Sequence, residues 1–132
     1  MRQALISMGV DLVSILRMKR IIGNIDLSKN ESVLNSVFTK REIKYCSSLK
    51  NPYQHYAVRF AGKEAFLKAL GTGLKNNFLF SDIEFLNDQN GNPYARCYGD
   101  VKKEILKNNI KRTSVSFGDS REKAVAVVIL EK

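Results

Sequence analysis

The stretch Arg59-Phe60-Ala61-Gly62-Lys63-Glu64-Ala65-Phe66-Leu67-Lys68-Ala69-Leu70-Gly71-Thr72-Gly73 decides how the chain is organised. Val58, Ala61, Ala65 and Ala69 recur at helical spacing and form a stripe of small apolar residues suited to close packing. Asn51-Pro52 resembles an N-cap followed by proline at the first helical position, so the helix is predicted over Pro52–Leu70. Gly71 is positioned to end it in a left-handed cap. Four charged side chains, Arg59, Lys63, Glu64 and Lys68, fall within three turns of this helix. The spacing sets Arg59 beside Lys63 and Glu64 beside Lys68. Taken alone, Glu64 with Lys68 reads as a solvated i,i+4 ion pair worth a few tenths of a kcal/mol.

Upstream, Ala4–Val13 is apolar and partly β-branched, which predicts a strand with Asp11 near its end. Ser14 can cap a short helix carrying Ile15 to Ile21 that stops at Gly23-Asn24. A short helix is predicted over Asn30–Val37. Thr39-Lys40-Arg41-Glu42 matches a capping box and predicts a helix to about Leu49. Downstream, Phe80–Leu86 and Pro93–Tyr98 read as a hairpin around Asp88-Gln89-Asn90-Gly91. Val101–Lys107 reads as a helix, and Thr113–Phe117 and Ala124–Leu130 as further strands. Strand, helices, then strands with one more helix indicate an α+β domain with an antiparallel sheet. The 132 residues fit one domain, residues 1–132, without a linker or repeat.

The composition is that of a globular protein, 44% hydrophobic and 27% charged. No apolar run approaches the 18 or so residues needed to cross a bilayer, and no secretory signal pattern opens the chain. Cys46 and Cys97 are expected to be free thiols, and no histidine cluster accompanies them as a zinc site would require. These absences point to the cytoplasm, with no membrane association. The net charge of +9 favours an anionic partner. A basic nucleic-acid-binding module is one such class, but the cations are spread along the chain and no recognised nucleic-acid motif is present.

Asp11 has two readings. It can cap the helix that follows, or it can face a cleft at the sheet end and join Glu64 around a hard cation. Mg²⁺ takes one or two protein carboxylates and completes its shell with water and substrate phosphate. Gly71-Thr72-Gly73 adds backbone amides and a hydroxyl suited to an anion, although Walker A spacing is absent.

At these segments the sequence resembles the holo-(acyl-carrier-protein) synthase family, small bacterial phosphopantetheinyl transferases. Met8-Gly9-Val10-Asp11-Leu12-Val13-Ser14-Ile15-Leu16-Arg17 is similar to the family's G-x-D-x-x-x-x-x-R opening. Residues 59–73 are similar to R-F-A-A-K-E-A-x-x-K-A-x-G-T-G. Asp82-Ile83-Glu84 with Asn87–Tyr94, and Ser114–Phe117 with Ala124–Glu131, follow in family order.

The resemblance implies transfer of 4′-phosphopantetheine from coenzyme A to a serine of an apo-acyl carrier protein. It implies Mg²⁺ on Asp11 and Glu64, and Lys68 on the phosphates. Coenzyme A would further be held by Arg59, Lys63, Gly71, Thr72, Gly73, Asn90, Gly91 and Pro93. Arg17, Arg20 and Ile21 would dock the acidic carrier, and the chain would assemble as a homotrimer. Two departures stand out. Asp119 occupies the place of a histidine associated with the nucleotide, with Gly118 before it, and Gly62 replaces an alanine. Asp119 motivates the alternative of a member that binds carrier or coenzyme A without turnover. His55, the only histidine, is expected to be an ordinary surface residue.

Overall fold

A computed structural model describes residues 5–23, 34–71 and 77–132. The elements are β1 (Leu5–Ser14), α1 (Ile15–Gly23), a helical turn at 34–37, α2 (Lys40–Ser47), α3 (Pro52–Leu70), a 3₁₀ turn (Phe80–Asp82), β2 (Ile83–Asn87), β3 (Pro93–Cys97), α4 (Gly99–Lys107), β4 (Arg112–Asp119) and β5 (Lys123–Glu131). Strands β1, β5 and β4 form an antiparallel sheet in that order, and β2 and β3 form a separate hairpin. The α+β expectation therefore holds, with the antiparallel strands divided between two sheets.

Helix α3 is the centre of the fold. Ala61 and Ala65 are fully buried, and Val58 and Ala69 nearly so. The helix buries residues all round because β1, β5, α1, α2 and the hairpin pack on it from several sides. Gly9 sets how close β1 comes: a Cβ there would lie 1.9 Å from the Ala65 carbonyl oxygen. Only glycine permits that approach. The Ser7 hydroxyl donates to the Ala69 carbonyl and fastens the same contact.

Register fixes the two faces of the larger sheet. Gly9, Asp11 and Val13 of β1 point toward α3, while Met8, Val10 and Leu12 point away and are 60, 46 and 61% exposed. Their cross-strand partners are Ile129, Val127 and Val125.

The local signals set several boundaries. The Thr39–Glu42 capping box is formed, with Glu42 N–H to Thr39 Oγ1 at 3.3 Å and Thr39 N–H to Glu42 Oε1 at 3.0 Å. Gly71 caps α3 with φ 79°. Ser14 caps α1 through the Arg17 N–H, 3.2 Å. The Asp88 carboxylate accepts from the Asn90 and Asn92 amides at 2.8 and 2.9 Å and closes the hairpin turn.

Other boundaries differ from expectation. Pro52 starts α3, but the Asn51 side chain makes no cap hydrogen bond. Helix α2 stops at Ser47 rather than Leu49, because the Ser48 hydroxyl takes the Tyr45 carbonyl at 2.7 Å. The strand expected from Phe80 begins at Ile83, after a 3₁₀ turn closed by Asp82 N–H to the Leu79 carbonyl. Of the helix expected over Asn30–Val37, residues 30–33 lie outside the described residues.

Gly62 has a packing reason. A Cβ there would stand 2.8 Å from Phe85 Cε2 and 2.9 Å from Phe117 Cε1, two rings in edge contact at 5.3 Å. Gly62→Ala would gain up to about 1 kcal/mol of helix propensity. Displacing the buried Phe85 ring and its half-buried partner Phe117 costs more, about 1–3 kcal/mol. A lower melting temperature for Gly62→Ala is the expected result.

Candidate active site

Asp11 lies on the α3 side of β1, two residues beyond Gly9, and so arrives beside the C-terminal half of α3. The Lys68 ammonium donates to Asp11 Oδ1 at 2.8 Å and to the Val10 carbonyl at 3.2 Å. Lys68 thus joins strand to helix rather than forming an i,i+4 pair with Glu64. Asp11 is also not the cap of α1, a place Ser14 fills.

Asp11 and Glu64 line one cleft of about 400 Å³, with Arg17, Met18, Ile21 and Lys123 among its walls. Burial pushes the Glu64 carboxyl above the usual range, and the Asp11 charge adds to it, against Lys68 and Arg17. A carboxyl whose ionisation is made costlier by burial beside a second carboxylate is an ordinary signature of a site that gains from a cation. Among the described residues no group of three or more His, Cys, Asp or Glu gathers that could hold a metal. The donor set is therefore a carboxylate pair, which suits Mg²⁺ shared with a phosphate and not zinc.

A second cleft, about 510 Å³, runs between the N-terminal half of α3, the β2–β3 turn and the end of β4. Arg59, His55, Tyr45, Gly91, Pro93 and Asp119 line it. Arg59 is 3% exposed, its Nε has no partner, and its guanidinium lies 4.7 Å over the Tyr45 ring. Asn90 belongs to the adjoining turn and is exposed. His55 is not an ordinary surface residue: its ring lines this cleft, edge-on to Tyr45 at 6.0 Å. The signal available in sequence was its place one helical turn before Arg59.

Lys63 requires the main correction. It does not sit beside Arg59 at an anion pocket. Its side chain is fully buried, 2.8 Å from Glu42 Oε1, and donates to the Phe80 and Ile83 carbonyls. Desolvation draws its pKa below the ordinary lysine value, and Glu42 opposes that shift. Three partners occupy its three donors, leaving none for a phosphate.

Arg20 and Ile21 are exposed on α1; Ile21 reaches the first cleft and Arg20 lines neither. Gly71 is exposed, and Thr72 and Gly73 lie outside the described residues. Lys123, at the first cleft opposite Ser14 in register, carried no sequence signal. Both cysteines are free, and burial pushes Cys46 up to about 11 and Cys97 to about 12. No described helix is long and apolar enough to cross a membrane.

Residues 7–128 match the family described as the 4′-phosphopantetheinyl transferase superfamily. The chain belongs to this family. It is 40% identical over 124 residues to the holo-(acyl-carrier-protein) synthase of Geotalea daltonii, covering 94% of this chain and 96% of that one. Its fold is similar to the crystal structure of the synthase from Neisseria meningitidis, with a TM-score of 0.85, 29% identity, and coverage of 97% and 99%. It is also similar to the Helicobacter pylori synthase in complex with coenzyme A, with a TM-score of 0.78, 28% identity, and coverage of 93% and 98%. Asp11 and Glu64, the acids singled out by the resemblance in sequence, are the two carboxylates on the first cleft.

Proposed function

We propose that this protein, a single transferase domain, is a holo-(acyl-carrier-protein) synthase. It moves 4′-phosphopantetheine from coenzyme A to a serine of an apo-acyl carrier protein and releases adenosine 3′,5′-bisphosphate. The observation that carries the reading is the meeting of Asp11 and Glu64 on one cleft in a chain of this family.

Asp11 and Glu64 are the residues that would hold Mg²⁺. Bound there, the ion neutralises charge on the diphosphate. The chain's own groups supply the rest. Lys68, whose side chain is 55% exposed, is free to turn from Asp11 to a phosphate oxygen. Arg59, with an unspent N–H, takes an anionic group in the second cleft, beside the turn carrying Asn90, Gly91 and Pro93. By the family resemblance, Gly71, Thr72 and Gly73 would hold part of coenzyme A. The serine hydroxyl gives up its proton to solvent water, and its oxygen forms a bond to the β-phosphorus as the bond from that phosphorus to the bridging oxygen breaks. The bridging oxygen leaves with adenosine 3′,5′-bisphosphate.

Arg17 and Arg20 on α1, with Ile21, form the docking face for the acidic carrier, where complementary charge steers encounter. Arg17 and Ile21 also edge the first cleft, so docking there brings the carrier serine to the site. The outward face of β1, with Met8, Val10 and Leu12 exposed, is an apolar patch suited to assembly as a homotrimer. A cytoplasmic location fits the substrates.

The test is incubation with coenzyme A, Mg²⁺ and apo-carrier, read by intact mass. The carrier is expected to gain one phosphopantetheine unit, and EDTA to prevent it. An unchanged carrier at saturating coenzyme A would overturn the reading and leave a protein that only binds.

A further inference from the structure

The turn between β4 and β5 is fastened to the start of α1. The Ile15 N–H, at the first residue of that helix, donates to the Glu122 carbonyl at 3.0 Å. Ser120 holds the turn itself: its hydroxyl accepts from the Glu122 and Lys123 amides at 3.3 and 3.2 Å, and its N–H donates to the Lys123 carbonyl at 2.8 Å. The two cations on either side of Glu122 then part around the helix. Lys123 lines the first cleft with Arg17, Met18 and Ile21. Arg121 lines a third cleft, about 430 Å³, with Ile15, Leu16, Lys19 and Lys50. At 3.6 residues per turn, Ile15, Leu16 and Lys19 face away from Arg17, Met18 and Ile21. Helix α1 is therefore a ridge between two clefts, and one turn supplies a cation to each.

Little in the fold uses these cations. Arg17, Lys50, Arg121 and Lys123 are exposed, and among the described residues none of them makes an ion pair. Lys19 is exposed as well, with its ammonium 5.9 Å from the centre of the Tyr53 ring. Glu122, the acid of the turn, lines neither cleft. The ridge itself carries apolar side chains, Leu16 at 56% and Ile21 at 47% exposure. Unpaired cations around an exposed apolar edge suit a partner that is acidic and partly apolar.

We infer that the β4–β5 turn is a second part of the carrier-docking surface, where Arg121 and Lys123 take acidic side chains of the carrier on the two flanks of α1. The inference rests on the carrier reading above and extends it to two residues that the family resemblance leaves unassigned. Charge complementarity, and continuity with Arg17 on the first cleft, select the carrier as the occupant. A partner gripped on both flanks is held in register along α1, which aims its serine at the cleft carrying Asp11 and Glu64.

Steady-state kinetics of the full-length protein, with apo-carrier and coenzyme A varied separately at low ionic strength, tests this. The double variant Arg121→Ala/Lys123→Ala is expected to raise the KM for carrier about five- to tenfold, as the loss of two exposed charge pairs does. Its KM for coenzyme A, its kcat at saturating carrier and its melting temperature are expected to match the wild type. Arg121→Lys/Lys123→Arg keeps both charges and is expected to keep the wild-type carrier KM. Added salt should bring the alanine variant and the wild type together, because screening removes the same pairs. An unchanged carrier KM in the alanine variant, or a raised KM for coenzyme A in its place, overturns the inference and leaves the transferase reading standing. A rise produced in full by Lys123→Ala alone overturns the grip on two flanks. A wild type that modifies no carrier brings down the transferase reading and this inference together.

Discussion

Asp11→Asn is expected to lower kcat/KM for carrier modification by about 10³-fold while leaving the fold intact. The large effect follows from charge. A carboxylate pair holding a divalent ion at a diphosphate contributes several kcal/mol to transition-state stabilisation, and each 1.36 kcal/mol is a factor of about ten. An amide keeps the shape of the side chain but removes half of the anionic donor set. The small structural effect follows from exposure. Asp11's partner is Lys68, whose side chain is 55% exposed, and such a pair contributes about 0–1 kcal/mol. Activity assays alone would not separate lost metal binding from a misplaced strand. The melting temperature should therefore be measured with and without Mg²⁺. Wild type is expected to rise with added Mg²⁺. Asp11→Asn is expected to melt near the unliganded wild type and to respond little. Full activity with an undiminished Mg²⁺ response in this variant would remove Asp11 from the site.

The sequence made much of this site legible because its parts are local. The capping box at Thr39, the αL stop at Gly71 and the apolar, β-branched run of β1 are set within a few residues of where they are read. Asp11 was legible only as an acid near the end of a strand; which face of β1 meets α3 depends on a contact 56 residues away. Gly9 against the Ala65 carbonyl makes that choice, and a lone glycine in a strand does not announce its partner. The two lysines of α3 show the same limit. Lys63 and Lys68 lie on the same helix, yet one is enclosed by Glu42 and two carbonyls while the other reaches solvent. Helical spacing gives their relative angle and not what surrounds each direction. Nor does it show that Glu42, read as a capping residue, does a second task inside the core. His55 and Asp119 meet across a cleft built from α3 and β4, a juxtaposition that only the packed fold creates.

Lys63→Met is expected to destabilise the protein by about 3–5 kcal/mol, the usual cost of leaving a buried charge without its partner. Glu42 is 1% exposed. It would keep only the Thr39 and Phe85 amides, each at 3.0 Å. The Phe80 and Ile83 carbonyls would lose a donor at the same time, where the 3₁₀ turn passes into β2. The loss therefore falls on the junction of α2, α3 and the hairpin, away from Asp11 and Glu64. Denaturant unfolding should show a lower midpoint with activity falling in proportion to the folded fraction, and the KM for coenzyme A unchanged below the transition. A double-mutant cycle with Glu42→Gln separates the pair from the cap. Glu42→Gln keeps a side chain that can complete the capping box but removes the charge facing Lys63, so it is expected to cost about 3–5 kcal/mol. If Lys63 and Glu42 act as one unit, the double variant is more stable than the sum of the single losses predicts. A stable Lys63→Met with a raised KM for coenzyme A would be the opposite result, and would return Lys63 to the phosphate site from which its burial excludes it.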